Sequence, residues 1–187
     1  MTRYVALLRG INVGGKNLIG MADLRACFED QGCRDVATYI QSGNVLFTAN
    51  APGAGLARRI ERALAARFKY EASLVLRTAE QMHAILERAP RGFGARPDRY
   101  RYDVMFLKEP LTASAALKDL PLKEGVDRAY PGTGVVYFSR LVSKATQSRL
   151  SRIVSMPIYQ RMTIRNWNTT TALLELLRTA PPAWNRR

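Results

Sequence analysis

With 187 residues, 47% of them hydrophobic and 24% charged, the chain is long enough for one domain or two small packed subdomains to bury a core without staples. Its 29 basic residues against 15 acidic ones leave a net charge of +14, which points to anionic partners, nucleic acid first. Two cysteines and one histidine exclude a four-ligand zinc site, and no apolar run approaches the about 20 residues of a membrane span or the length of a signal peptide.

In chain order, an apolar strand is expected at Tyr4–Leu8. A helix follows from Met21 to about Gln31, with Leu24, Cys27 and Phe28 on one face and Gly32 as its stop. Strands at Val36–Ile40 and Val45–Thr48 form a hairpin through Ser42-Gly43-Asn44. The stretch GLARRIERALAARF reads as a second helix. Its Leu56, Ile60, Leu64 and Phe68 recur at i, i+4 spacing, while Arg58, Arg59, Arg62 and Arg67 occupy the other sides. A strand at Leu74–Arg77 and a helix from Glu80 to Glu87 close the first half.

The stretch PRGFGARPDRYRY, rich in Pro, Gly, Arg and aromatics, reads as a linker. Beyond it come a strand (YDVMFL), a short helix (ASAALKDL) and a hairpin turning at Pro131-Gly132-Thr133-Gly134. A basic helix (KATQSRLSRIVS) stopped by Pro157, a strand (RMTIR) and a last helix (NTTTALLELL) complete the chain. The order repeats that of the first half. GNVLF parallels GVVYF, and VLRTAEQMHAIL parallels TIRNWNTTTALL with Arg77 matching Arg165. The expected fold is therefore α+β: two tandem ferredoxin-like β-α-β-β-α-β subdomains with extra helices and antiparallel sheets. Residues 1–90 and 102–180 would form the subdomains, 91–101 the linker and 181–187 a flexible tail.

Gly10, four residues, then Gly15-Lys16-Asn17 falls one letter short of the Walker A loop. Asn17 is a poorer magnesium ligand than Ser or Thr. Leu18, Ile19 and Gly20 separate the loop from the helix that should face the phosphates. The chain is built from hairpins rather than a parallel sheet, and the nearest acidic strand end, at Glu109, belongs to the other half. A hydrolytic phosphate loop is disfavoured. Two readings remain for the glycines. Gly10, Gly14 and Gly15 could expose successive N–H groups as an anion nest, with Arg9 and Lys16 adding charge, or could simply permit a tight β-to-α connection.

The motifs YVALLRGINVGGKN, LRACFEDQGCRDVATYIQSGNVLF and TIRNWNTT resemble an uncharacterised bacterial family, domain of unknown function sixteen ninety-seven, over nearly the whole chain. The resemblance implies two ferredoxin-like subdomains and carries no established activity. The matching positions are Arg9, Gly10, Asn12, Gly14, Gly15, Lys16 and Asn17, then Ser42, Gly43 and Asn44, and finally Thr163, Arg165, Asn166 and Thr169.

No catalytic constellation is visible. His83 sits in mid-helix without a nearby Ser or Cys, and acidic residues show no metal-ligand spacing, so no metal or cofactor is expected, and enzyme activity, disfavoured by these residues, is left open because spatial neighbours are not visible in a sequence. Beside an enzyme, two function classes fit the sequence. As a nucleic-acid binder, the chain would use Arg58, Arg59 and Arg62 of one basic helix, Lys144, Arg149 and Arg152 of the other, and Arg96, Arg99 and Arg101 among the linker aromatics Phe93, Tyr100 and Tyr102. Against this, the charge could reflect Arg-rich codon usage, and the linker aromatics could pack at the joint. The central-strand stretches GNVLF and GVVYF lack the basic and aromatic run of an RNA-recognition sheet.

As a small-ligand or protein-interaction module, the glycine loop, the hairpin turn and RNWNT would line one cleft, with Asn166 or Asn168 capping the last helix. The reading carried forward is a cytoplasmic monomer or homodimer that binds a phosphate-bearing ligand, nucleic acid or nucleotide. Arg9, Lys16 and Arg165 would supply charge, Gly10, Gly14 and Gly15 N–H groups, and Asn12, Ser42 and Asn44 orientation. Asn17, Asn166 and Thr169 complete the candidate set.

Overall fold

The computed structural model describes residues 1–12, 18–41, 43–50 and 53–179. The candidate residues Gly14, Gly15, Lys16, Asn17 and Ser42, and the tail 181–187, lie outside the described residues. The chain divides into two compact units, one of Met1–His83 with the segment from Ala172 onward, the other of Ala84–Thr171.

Unit 1 contains β1 (Thr2–Leu8), α1 (Met21–Glu29), β2 (Arg34–Tyr39), β3 (Asn44–Ala49), α2 (Gly53–Phe68) and β4 (Leu74–Thr78). All pairings are antiparallel and the strand order is β2-β3-β1-β4. Period-2 alternation sends Tyr4, Ala6 and Leu8 of β1 and Val45, Phe47 and Ala49 of β3 into a core closed by Leu24 and Phe28 of α1 and Leu56, Ile60 and Leu64 of α2. Phe47 is its centre, stacked on Tyr4 at 5.6 Å and meeting Phe28 edge-on at 5.3 Å. Burying a side chain of this size contributes about 1.5–3 kcal/mol. The opposite face of the sheet is not open either, because Val5, Leu7, Leu46 and Val75 are also buried.

α1 ends as its sequence indicates. Gly32 adopts φ +77°, the Gly32 N–H donates to Glu29 O at 2.8 Å and the Cys33 N–H to Phe28 O at 3.2 Å, the double bond of a Schellman stop. Arg59 of α2 then donates to Gln31 O at 2.8 Å, where the negative end of α1 favours a cation.

α3 (Ala79–Glu87) runs from unit 1 into unit 2, which then contributes β5 (Tyr100–Leu107), α4 (Ala113–Asp119), β6 (Asp127–Gly132), β7 (Val135–Leu141), α5 (Leu150–Ile153) and β8 (Met162–Asn166). α6 (Trp167–Arg178) leads back into unit 1. The second sheet has order β6-β7-β5-β8, again all antiparallel, so the two sheets share one topology. This is the α+β architecture of two four-stranded antiparallel sheets expected from the repeated element order. Met105 and Leu107 of β5 with Val136 and Phe138 of β7 pack on Ala113 and Ala116 of α4 and Ile153 of α5.

One element differs from expectation. KATQSRLSRIVS does not form a single basic helix: a 3₁₀ segment spans Val142–Gln147, α5 is one turn, and a second 3₁₀ segment spans Pro157–Arg161. The propensity of Ala, Arg and Lys is overridden by polar capture of the backbone. Asp127 Oδ2 accepts from the Arg149 N–H at 2.9 Å and the Lys123 N–H at 3.0 Å, Ser148 Oγ accepts from the Leu150 N–H at 3.3 Å, and Lys144 leaves helical φ/ψ. Lys144, Arg149 and Arg152 therefore do not share one helical face.

Candidate ligand-binding site

The glycine loop leaves β1 through Arg9, half-buried, and Gly10, at φ +70° with open space where a Cβ would stand. Asn12 follows at φ +53°, a left-handed conformation that Asn tolerates. Its side-chain amide clamps the base of the loop. Oδ1 accepts from the Ile19 N–H at 2.8 Å, while Nδ2 donates to Ile19 O at 3.2 Å and to Gln41 O at 3.1 Å. The loop thus starts and ends beside the β2–β3 turn. Gly43 must be glycine there: it sits at φ +77°, and a Cβ would stand 2.9 Å from Ile11 and 3.0 Å from Leu8. Asn44 is fully buried and donates to Tyr39 O at 3.1 Å, closing the hairpin. Asn12 and Asn44 were expected to orient a ligand; the amides of both hold the local backbone.

In unit 2, Arg165 on β8 donates through Nη1 to Thr163 Oγ1 at 2.8 Å and Ile164 O at 2.9 Å. Burial lowers its pKa to about 10, against a smaller raising effect of Tyr159, and leaves it charged at neutral pH. Arg77, its counterpart on β4, likewise donates to the carbonyl of the preceding residue, Leu76, at 2.8 Å. Asn166 caps α6, its Oδ1 accepting from the Thr169 N–H at 2.7 Å. Arg9, Gly10, Asn12 and Asn44 belong to unit 1, and Arg165, Asn166 and Thr169 to unit 2.

The arginine and aromatic segment before β5 builds a different feature. Phe93 turns onto the sheet and meets Tyr102 at 4.8 Å, Tyr137 at 5.4 Å and Trp167 at 5.1 Å, all edge-on. Tyr137 is anchored in turn, its hydroxyl donating to Ile85 O at 2.5 Å. Beside Phe93 lies a cavity of about 310 Å³. Arg91 and Arg96 border it from the turns, Tyr100 and Tyr102 from β5, and Arg128 and Tyr130 from β6. The register makes this one face, because Tyr102 and Arg128 are both partners of Ser139, which lines the cavity with only 6% of its surface exposed. No acidic residue lines it, and among the described residues Arg91, Arg96 and Arg128 have no ion-pair partner.

A second cavity in unit 2, about 600 Å³, holds both Arg88 and Glu109 and no aromatic side chain.

Of the basic residues singled out in the sequence, only Arg96 borders the smaller cavity. Arg99 does not line it but lies over the ring of Tyr100, which does, 5.6 Å from the ring centre. Arg101 alternates to the other sheet face, opposite Arg140. Arg58, Arg59 and Arg62 line the exposed side of α2 in unit 1. Sequence reading passed over Arg91, Arg128, Tyr130 and Ser139. The signal was the spacing of two in Tyr100-x-Tyr102 and Arg128-x-Tyr130, but it becomes a site only when register brings the strands together.

Both cysteines are buried free thiols. Burial pushes the Cys33 thiol up to about 11 and raises that of Cys27, so both stay protonated at neutral pH. Among the described residues no three His, Cys, Asp or Glu side chains cluster as a metal would need, and no helix is long and apolar enough to cross a membrane.

Comparison with known proteins agrees with this architecture. The solved structure of conserved bacterial protein SP0830 from Streptococcus pneumoniae matches 96% of this chain and 99% of its own at 30% sequence identity, with a TM-score of 0.81. No curated protein matches. A family model matches residues 1–137, well over half of the chain, and the protein therefore belongs to the family described as protein of unknown function, DUF1697.

Proposed function

We propose that the protein is a cytoplasmic binding module for a phosphate-bearing ligand that also carries an aromatic base, a nucleotide or a nucleotide unit of nucleic acid. The observation that carries this reading is the cavity in which Arg91, Arg96 and Arg128, without a carboxylate among its lining residues, stand around Tyr100, Tyr102 and Tyr130. Guanidinium groups bind phosphate oxygens in bidentate fashion, and tyrosine rings offer a stacking surface that any base can use, worth about 1–3 kcal/mol per base. The reading differs from an RNA-recognition sheet because most of that face is buried: Val104, Phe106, Val135 and Tyr137 all lie on it. The glycine loop of unit 1, with Arg9 and Lys16, is a second anion-binding element in this proposal, favoured by the Asn12 clamp that joins its two ends to the neighbouring hairpin.

Fluorescence anisotropy of single-stranded RNA and duplex DNA, at low and near-physiological salt with ATP and GTP as competitors, tests the proposal. Single-stranded RNA is expected to bind, with a salt slope that counts the phosphates contacted. The triple variant Arg91→Gln, Arg96→Gln, Arg128→Gln should lose at least about tenfold in affinity, as expected for charge-assisted bonds. Arg9→Ala with Lys16→Ala reads the loop separately. Absence of binding by RNA, DNA and nucleotide at near-physiological salt would sink the proposal and leave the +14 charge as a product of arginine-rich composition.

A further inference from the structure

We infer that the arginine and tyrosine cavity of unit 2 recognises a terminal phosphomonoester, the phosphate end of a nucleotide, rather than an internal phosphodiester of a passing strand. The inference rests on the proposed function and narrows it. Three observations carry it, and the first is that the cavity has a blind end. A strand running through would need an open track on both sides, yet the sheet face beyond Tyr102 is filled. Phe93 lies over Tyr102 and Tyr137, and Val104 and Phe106 of β5 and Val135 of β7 are completely buried. Beyond Tyr102 that face therefore offers no exposed surface to a further nucleotide.

The second observation is size. At about 310 Å³ the cavity lies at the low end of ligand sites, which run from roughly 300 to 1,000 Å³. It suits one nucleotide unit and not a run of several.

The third is charge. An internal diester carries one negative charge and two free oxygens. A terminal monoester carries about 1.5 to 2 negative charges near neutral pH and offers three acceptor oxygens. Arg91, Arg96 and Arg128 all line the cavity with no acidic residue among the lining, a surplus that one diester would leave largely uncompensated and a monoester matches. Ser139, on the floor between the Tyr102 and Arg128 strands, adds a neutral hydroxyl suited to one of those oxygens. By contrast, the larger cavity of unit 2 is lined by the acidic Glu109 as well as Arg88 and has no ring to stack a base.

A free mononucleotide and the end of a strand present the same chemistry, so the test separates them. Full-length protein is titrated into three eight-nucleotide single-stranded RNAs of one sequence, labelled at an internal base, with a 5′-phosphate, a 3′-phosphate or hydroxyls at both ends. AMP and inorganic phosphate serve as unlabelled competitors, and AMP is also titrated alone by calorimetry. One phosphorylated form, or AMP, is expected to bind at least about tenfold more tightly than the hydroxyl-ended RNA. The preference should shrink below about pH 6, where the monoester dianion takes up a proton and keeps a single negative charge. Arg128→Gln and, as a second exposed variant, Arg96→Gln should each remove most of the preference while the thermal midpoint stays unchanged.

AMP competing at the Arg128-dependent site would assign it to free nucleotide. A phosphorylated RNA preferred without AMP competition would assign it to the strand end. Equal binding of all three RNAs, with AMP binding no more tightly than they do or not at all, would overturn the monoester inference and leave the proposed function standing. Binding of none of the RNAs or AMP would overturn both.

Discussion

Gly94 illustrates how a single residue shapes the candidate site. It sits at φ +86°, and a Cβ there would fall 2.3 Å from Trp167 Nε1 and 2.6 Å from its Cδ1. The absence of a side chain lets the turn press against the indole, which in turn seats Phe93 among Tyr102, Tyr137 and Trp167. Gly94→Ala combines the left-handed backbone penalty with a clash against a ring that is itself packed, and should cost at least about 2 kcal/mol. Gly92 provides the control: it has φ +76° but nothing within 4 Å of a Cβ, so Gly92→Ala should cost only about 1 kcal/mol. Thermal unfolding of both variants, read by tryptophan fluorescence, checks the difference; equal midpoints would refute the close-approach argument.

At the scale of elements, local signals succeeded wherever the partner of each backbone group lies within a few residues. The Gly32 stop of α1 and the Asn166 cap of α6 are both of this kind: the first was legible from residue type and position alone, and the second was narrowed by them to Asn166 or Asn168. Asn166→Ala should lower stability by about 1 kcal/mol and Asn166→Asp should retain it, since an aspartate cap also favours the positive end of the helix. Denaturant titration of the two variants decides. The segment after β7 is the contrary case. Its helical composition is real, but the carboxylate that captures the Arg149 N–H belongs to Asp127, 22 residues earlier and on a different strand. No window short enough to measure propensity contains both.

For the whole molecule, the division of the chain matters more than its order. The segment from Ala172 belongs to unit 1, with Leu173, Leu174, Leu176 and Leu177 all buried and the Arg3 guanidinium donating to Thr179 O at 3.2 Å. Each buried leucine contributes about 1.5–3 kcal/mol, so four of them rival the 5–15 kcal/mol that typically separates a folded domain from its unfolded chain. A fragment of residues 1–90 expressed alone should therefore fail to give a cooperative melt, whereas the full chain gives one. A sharp transition and dispersed amide spectrum for the fragment would show that the returning leucines are dispensable.

The sequence by itself determined the element order, the internal repeat, the α+β class and the core positions of α1 and α2, because period, caps and turn residues act within a few residues of one another. It also marked Arg96, Phe93, Tyr100 and Tyr102 as a basic and aromatic group. Only the tertiary structure decided that Asn12 clamps its loop, since Gln41 lies 29 residues away, and that Asn44 closes a hairpin while buried. Only tertiary structure, too, brought Arg128, Tyr130 and Ser139 to Tyr100 and Tyr102. That assembly depends on strand register, which puts Ser139 between Tyr102 and Arg128; a slip of one residue would turn each side chain to the other face and leave no cavity at all.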